Sequence, residues 1–353
     1  MRAVDSAAAP LALWYDGAGS ASLQASDAAP PKVGEVRVDV RYSAVSRGTE
    51  RLVWSGQVPE GEWDRMRAPL QTGDFPGPVK YGYAAVGTVR DGALPAGTAV
   101  FALHPHQTAF TVAANMVSPV PDGVPIRRAV LAANMETALN AIWDSGISAG
   151  ERISVVGCGI VGLLTGWLAA RFPGTEVTVV DRNPARARCA AALGCAFALP
   201  AGKTAITLED PLVEIPVNCD HVFHASAHAD GLATAIAAAG MEATVTELSW
   251  YGASSVVAPL GGAFHSQRLL LGASQVGRIA PRQRARWSHG RRLEKALSLL
   301  ADERLDTLLT EDIPFMKLPD RLPEIFTDGD MAPCPVVAYP PLDRSPDFAP
   351  GQP

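Results

Sequence analysis

The stretch Ile153–Asp181 reads ISVVGCGIVG, LLTGWLAARFPGTE, VTVVD, and its reading decides the fold. An apolar run, Ile153–Val156, enters a turn containing Gly157, Gly159 and Gly162. A helix pattern of small apolar residues follows, and a second apolar run ends in Asp181. Strand, glycine turn, helix, strand and acid in that order form a dinucleotide-binding unit. Gly157 allows the tight turn, and Gly159 lets the backbone approach a pyrophosphate. Gly162 lets helix and strand pack closely, and the helix N-terminus at Ile160 and Val161 faces the anion. Asp181 lies about 19 residues past Gly162, close to the roughly 20-residue spacing of the acid that binds the ribose hydroxyls. A carboxylate there accepts from both hydroxyls and repels a 2′-phosphate, which predicts NAD. Arg182 and Arg186, either of which could reach a phosphate, leave NADP open as the second choice.

Outward from this unit the chain divides in two. Downstream, strand and helix patterns alternate: a helix over Pro184–Leu193, a strand over His221–Ala225, a helix over Asp230–Ala239, then strands over Glu242–Tyr251 and Leu269–Ala273. Such alternation predicts a doubly wound parallel sheet. Upstream, residues 1–145 are β-rich. Glu35–Val45 (EVRVDVRYSAV) alternates as a half-buried strand, Val79–Val89 and Ala99–Leu103 read as further strands, and Ala129–Ser145 reads as a helix. The fold class is therefore α/β, a β-rich domain plus a Rossmann domain. The expected domains are 1–145, a nucleotide domain over 146–278, a return to the first domain over 279–340, and a mobile Pro- and Asp-rich tail over 341–353. The return is expected to be helical from Gly277 to Leu300, with a last strand over Cys334–Tyr339.

Composition excludes several classes. The 353 residues carry a formal charge of −6 and are 48% hydrophobic, enough for two cored domains and too acidic for nucleic acid as the main partner. The densest basic run, Arg278–Arg292, reads as a solvated helix face, with an anionic-substrate subsite as the second reading. Five cysteines without CxxC spacing predict free thiols in a reducing cytoplasm. The N-terminal residues lack a long apolar run, and no stretch is long and apolar enough for a membrane span, so neither a signal peptide nor a membrane partner is expected.

Three segments together resemble the medium-chain dehydrogenases/reductases: Glu35–Glu50 (EVRVDVRYSAVSRGTE), Gly82–Gly87 (GYAAVG) and Ile153–Asp181. SAVSRGTE, KYGYAAVG and HASA are also similar to a branch of zinc-binding alcohol dehydrogenases and a bacteriochlorophyllide dehydrogenase. The resemblance implies a GroES-like β domain, a Rossmann domain, a small-molecule substrate in the cleft between them, and a homodimer joined at Rossmann sheet edges. Val256–Leu260 is one candidate edge.

The departures from this family carry as much information. Zinc members supply a Cys where Ser46 stands, a His and a Glu where Tyr83 and Ala84 stand, and a third ligand near Ala133 or Asn134. A catalytic zinc needs about three such ligands, and the four-Cys structural lobe is also missing, so no zinc is expected. His104 and His106 are the only close histidine pair outside the His221, His224 and His228 group. Glu50 and Glu136 could approach that pair, but hydrogen bonding is the better reading than a metal.

Without a metal, a donor must polarise the reacting oxygen. Tyr83 is the first candidate, then Ser46, Arg47 and His104. Arg47 could instead bind the pyrophosphate. Glu136 needs a cation, Arg47 or another, or helps form the cleft. Ala225, Ser226, Ser274 and Gln275, at strand ends, are expected near the cofactor. Trp54, Trp63, Tyr81 and Trp250 are candidate cleft walls. The expected activity is hydride transfer between NAD(H) and an alcohol or ketone. Enone or quinone reduction, a non-catalytic NAD(H) sensor, and a lyase or epimerase that recycles its NAD stay open.

Overall fold

In the computed structural model, residues 9–200 and 212–340 are described. The expected mobile tail and residues 1–8 lie outside them.

Six parallel strands form the second domain's sheet in the order Ala196–Ala198, Glu176–Val180, Arg152–Val156, Cys219–His224, Ala239–Glu247, Leu270–Ala273. This is the doubly wound Rossmann order, and it reverses beside Arg152–Val156, the first strand in sequence. Ile153 and Val155 are wholly buried, as a strand covered on both faces requires. The helix Ile160–Ala169 is apolar all round, with nine of its ten residues buried between the sheet and the helix Ala132–Ser145.

The β-rich domain has a seven-stranded sheet and a four-stranded one. Glu35–Ala44 is central to the larger sheet, and its alternation is visible in the structure: Val36, Val38 and Val40 point into the core. The C-terminal strand Cys334–Ala338 lies antiparallel beside it, with Val336 opposite Ala44 and Val337 opposite Ser43. The parallel sheet is thus inserted into a domain that the end of the chain completes.

Four local readings are corrected. The strand expected over Val79–Val89 is two pieces, Val79–Lys80 and Ala85–Gly92, because the backbone leaves the sheet at Gly82 (φ +120°) and presents Tyr83. The helix expected from Gly277 to Leu300 is confined to His289–Leu299, since Pro281 opens a run of turns over 281–286 and Ser288 caps the start by accepting from the Arg291 N–H. Val256–Leu260 is not a strand; the sheet edge is Leu270–Ala273. Finally, Arg292 does not belong to a solvated face: it is 1% exposed.

Candidate active site

The two domains enclose a cavity of about 700 Å³. The β-rich domain contributes Ser46, Arg47, Thr49, Tyr81 and Tyr83; the helix Ala132–Ser145 contributes Asn134 and Glu136. The Rossmann side contributes Gly159, Ile160, Val161, Ala225, Ser274 and Gln275.

The glycine turn has the shape its sequence implies. Gly157 adopts φ +108°, and a Cβ there would sit 2.6 Å from the Ser226 nitrogen. A Cβ on Gly162 would lie 1.9 Å from the Gly157 oxygen, so helix and turn touch backbone to backbone. A Cβ on Gly159 would meet nothing within 4 Å. The backbone at Gly159 is therefore bare, at the N-terminus of the helix, on the cavity. Asp181 Oδ2 accepts from the Cys158 N–H at 2.7 Å and Oδ1 from the Asn183 N–H at 2.9 Å, tying the acid to the turn. Each oxygen keeps lone pairs for further donors.

Tyr83 and Ser46 meet on the cavity wall. The phenol donates to Ser46 Oγ at 2.5 Å. Burial pushes the Tyr83 phenol up to about 12; hydrogen bonds to Ser46 and Thr49 oppose this, and the charge of Glu50 reinforces it. The group is therefore a protonated donor at neutral pH. Arg47 and Arg186, on the same cavity, donate to the carbonyls of Asp328 and Gly329 and make no ion pair among the described residues. Burial, then the nearby Arg186 charge, lowers the Arg47 guanidinium from its ordinary value. The Asp328 charge opposes that fall, so the two cations have one nearby carboxylate and still leave net positive charge at the cavity.

Glu136 pairs with Arg292 rather than Arg47, at 2.9 Å. Burial raises the Glu136 carboxyl, and Arg292 opposes the rise. Ser274 donates to Asp144 Oδ2 at 2.6 Å, and Gln275 Oε1 accepts from the Gly277 N–H.

Several expected site residues lie elsewhere. His104 does not line the cavity: its ring stacks on Phe110 at 3.9 Å, and burial lowers it to about 3. Its neighbour His106 turns to Glu50, 2.9 Å away. Arg182 is exposed and, like Asp181 beside it, does not line the cavity. The Ser226 hydroxyl is bound to His224 Nε2 at 2.6 Å, behind the Ala225 and Ala227 wall. Of the four aromatics, Tyr81 and Trp250 line the cavity, while Trp54 packs on Phe326 and Trp63 donates to the Val58 carbonyl. Cavity residues that the sequence reading did not single out include Thr49, Thr137, Leu248 and His289, while Asn134 and Arg292 were read in other settings. Arg292 had a signal, since it shares a helix face with Ala296, four residues on, and that face is apolar.

Ser46, Tyr83 and Asn134 offer a hydroxyl, a phenol and an amide, and none of these is a thiolate, imidazole or carboxylate. Among the described residues no group of three or more His, Cys, Asp and Glu could hold a metal ion. The donor set does not fit a catalytic zinc.

No protein-family model matches the chain. Solved structures do. L-idonate 5-dehydrogenase from Escherichia coli superposes with a TM-score of 0.73 at 13% identity, covering 94% of this chain and 98% of its own. A dehydrogenase of Sinorhizobium meliloti bound to NADP gives 0.72 at 18%, covering 94% and 99%. 2R,3R-butanediol dehydrogenase from Bacillus subtilis gives 0.71 at 15%, with the same coverage. The chain has the two-domain fold of the medium-chain dehydrogenases. At these identities the shared property is the fold, and the GroES-like domain and Rossmann domain expected from the sequence are both present. Among the described residues, no helix of this dehydrogenase fold is long and apolar enough to cross a membrane.

Proposed function

We propose that this chain is a zinc-independent, NAD-dependent oxidoreductase that interconverts an alcohol and a ketone in the interdomain cleft. One observation carries the reading: the Tyr83–Ser46 hydroxyl pair and the bare backbone at Gly159 open on the same cavity. Gly159 and the helix start at Ile160 and Val161 fit a pyrophosphate, with Arg47 and Arg186 as counter-charges. Asp181 fits the ribose hydroxyls and favours NAD, with NADP as the lesser choice. A bound nicotinamide supplies the hydride acceptor or donor. With substrate bound, the Ser46 hydroxyl turns to donate to the Tyr83 oxygen, which frees the single phenol proton for the substrate oxygen as negative charge develops there. Ser46 fixes the direction of that phenol. Tyr81, Trp250 and Leu248 keep water from the apolar part of the substrate.

The test is NADH oxidation with a hydroxyketone, a cyclic ketone and an aromatic aldehyde, in metal-analysed protein. Turnover without stoichiometric zinc, lowered roughly 100-fold in Tyr83→Phe with NADH affinity unchanged, is expected. Full activity in that variant removes Tyr83 from the mechanism.

The lost metal donors equally favour a second reading, reduction of an activated alkene or quinone. Deuterium from labelled NADH on carbon β to the carbonyl would decide for it. The exposed Leu270 and Leu271 on the edge strand, with Val257 82% exposed, support a homodimer closed across Leu270–Ala273. A clean monomer by light scattering would defeat that. Five free, buried cysteines support a cytoplasmic setting.

A further inference from the structure

Behind the Tyr83–Ser46 pair lies a closed set of buried polar groups. Glu50, wholly buried, reaches back along its helix so that Oε1 accepts from the Ser46 N–H at 2.7 Å. Its other oxygen accepts from the Tyr15 hydroxyl at 2.6 Å and faces His106 Nε2 at 2.9 Å. His106 Nδ1 lies 2.7 Å from Ser43 Oγ, which is 2.8 Å from the Tyr339 hydroxyl. The set closes with one proton per bond when His106 carries its proton on Nε2. Tyr339 then donates to Ser43, Ser43 to His106, and His106, Tyr15 and Ser46 to Glu50.

Two contacts connect this set to the cavity wall. Glu50 holds the amide of Ser46, the residue that receives the Tyr83 phenol. The His106 ring lies against the backbone before Tyr83: a Cβ on Gly82 would sit 2.9 Å from His106 Cδ2, and Gly82 adopts φ +120°. One His–Glu pair thus touches both segments whose hydroxyls meet. Tyr15 and Tyr339, from the two ends of the described chain, secure it.

A carboxylate in this position is costly. No lysine or arginine pairs with Glu50 among the described residues, and apolar side chains of similar volume often serve stability as well or better. Packing alone is therefore a poor reason for Glu50. Tyr15 and His106 orient the carboxylate, which in turn holds the Ser46 amide, and that gives it a better one.

We propose that Glu50 and His106 are positioning residues that hold Ser46 and the Gly82–Tyr83 turn so that the Tyr83 phenol points at the reacting oxygen. The proposal rests on the reading of Tyr83 as proton donor.

The experiment compares Glu50→Ala, Glu50→Gln and His106→Ala with the parent full-length chain. NADH affinity is read by fluorescence, KM and kcat with the best carbonyl of the panel above, and Ser46 amide exchange by NMR. Glu50→Ala should lower kcat roughly 10-fold or more while NADH affinity and KM stay within about twofold, since a misaligned donor affects the reacting step alone. Glu50→Gln keeps an oxygen for the Ser46 N–H, and its NH2 can donate to Tyr15 Oη and to His106 Nε2 once that ring carries its proton on Nδ1, so it should recover most of kcat, and His106→Ala should resemble Glu50→Ala. Unchanged kcat in Glu50→Ala overturns the proposal. So do equal losses in Ala and Gln, or losses of kcat, KM and NADH affinity together, which would mark a general structural role. If the parent chain turns over no carbonyl, the parent reading fails by itself, and exchange at Ser46 then decides alignment. It should speed up in Glu50→Ala with the Arg47–Trp54 amides unchanged. Exchange as slow as in the parent overturns the proposal.

Discussion

Arg292 and Glu136, 156 residues apart in the chain, lie 2.9 Å apart with both side chains almost wholly buried. The guanidinium also donates to Asn140 Oδ1 at 2.6 Å and to the Val276 carbonyl at 2.5 Å. A helix of the C-terminal return is thereby bound to the helix that leads into the Rossmann sheet, and the pair forms part of the cavity lining. Arg292→Met should leave Glu136 charged and unpaired, at a cost of about 3–5 kcal/mol in unfolding free energy. Adding Glu136→Leu should recover most of that loss. Urea unfolding of the two variants checks both statements; a single variant as stable as the parent would show that the pair contributes nothing.

Gly159 and Gly162 should separate binding from folding. Gly162→Ala places a Cβ 1.9 Å from the Gly157 oxygen, so helix and turn must part, and both stability and NADH affinity should fall. Gly159→Ala meets no protein atom within 4 Å. It should fold with the parent melting temperature yet bind NADH at least roughly 10-fold more weakly, because its methyl occupies the approach to the phosphate. Calorimetry with NADH reads the difference.

Asp181→Ala should relax the preference for NAD over NADP by removing the negative charge beside the ribose. It should also loosen the glycine turn, since the carboxylate holds the Cys158 N–H at 2.7 Å. NADH affinity is therefore expected to fall while NADPH affinity holds or rises. Unchanged discrimination would mean that the ribose lies elsewhere.

His104 and His221 make stability depend on pH in a known direction. Burial lowers His104 to about 3 and His221 to about 4, so both are neutral in the folded chain at neutral pH. The unfolded chain takes up both protons below about pH 6.5. The folded chain is then at no disadvantage from these groups above about pH 6.5, and it loses stability steadily as pH falls below that value toward the folded values. His104→Phe, which keeps the stack on Phe110, should flatten the decline between about pH 6.5 and 5. Urea midpoints across that window provide the check, and an unchanged slope would count against a neutral buried His104.

The strand, glycine turn, helix and strand over Ile153–Asp181 were fully legible in the sequence, because their signals are local. The positive φ of Gly157 and the contact of Gly162 with it are set within a few residues, although Gly157 also meets the distant Ser226 backbone, and the acid at Asp181 follows from the length of one helix and one strand. The alternation of Glu35–Ala44 was legible for the same reason. The loss of zinc-type donors at Ser46 and Tyr83 could also be read, since it needs residue identities alone.

Contacts across long sequence separations were decided only by the tertiary structure. Nothing in LHPHQ distinguishes His104, stacked in the core on Phe110, from His106, bound to Glu50. That choice depends on which strand faces the helix Arg47–Trp54. The partner of Glu136 had to be one cation among many, and it became Arg292 because the C-terminal helix docks there. The exposed edge moved from Val256–Leu260 to Leu270–Ala273 because pairing, rather than hydrophobicity, defines a strand. Local sequence sets the backbone's turns and the faces that must be buried. Which buried polar groups then meet depends on how those faces come together, over separations along the chain that no local pattern encodes.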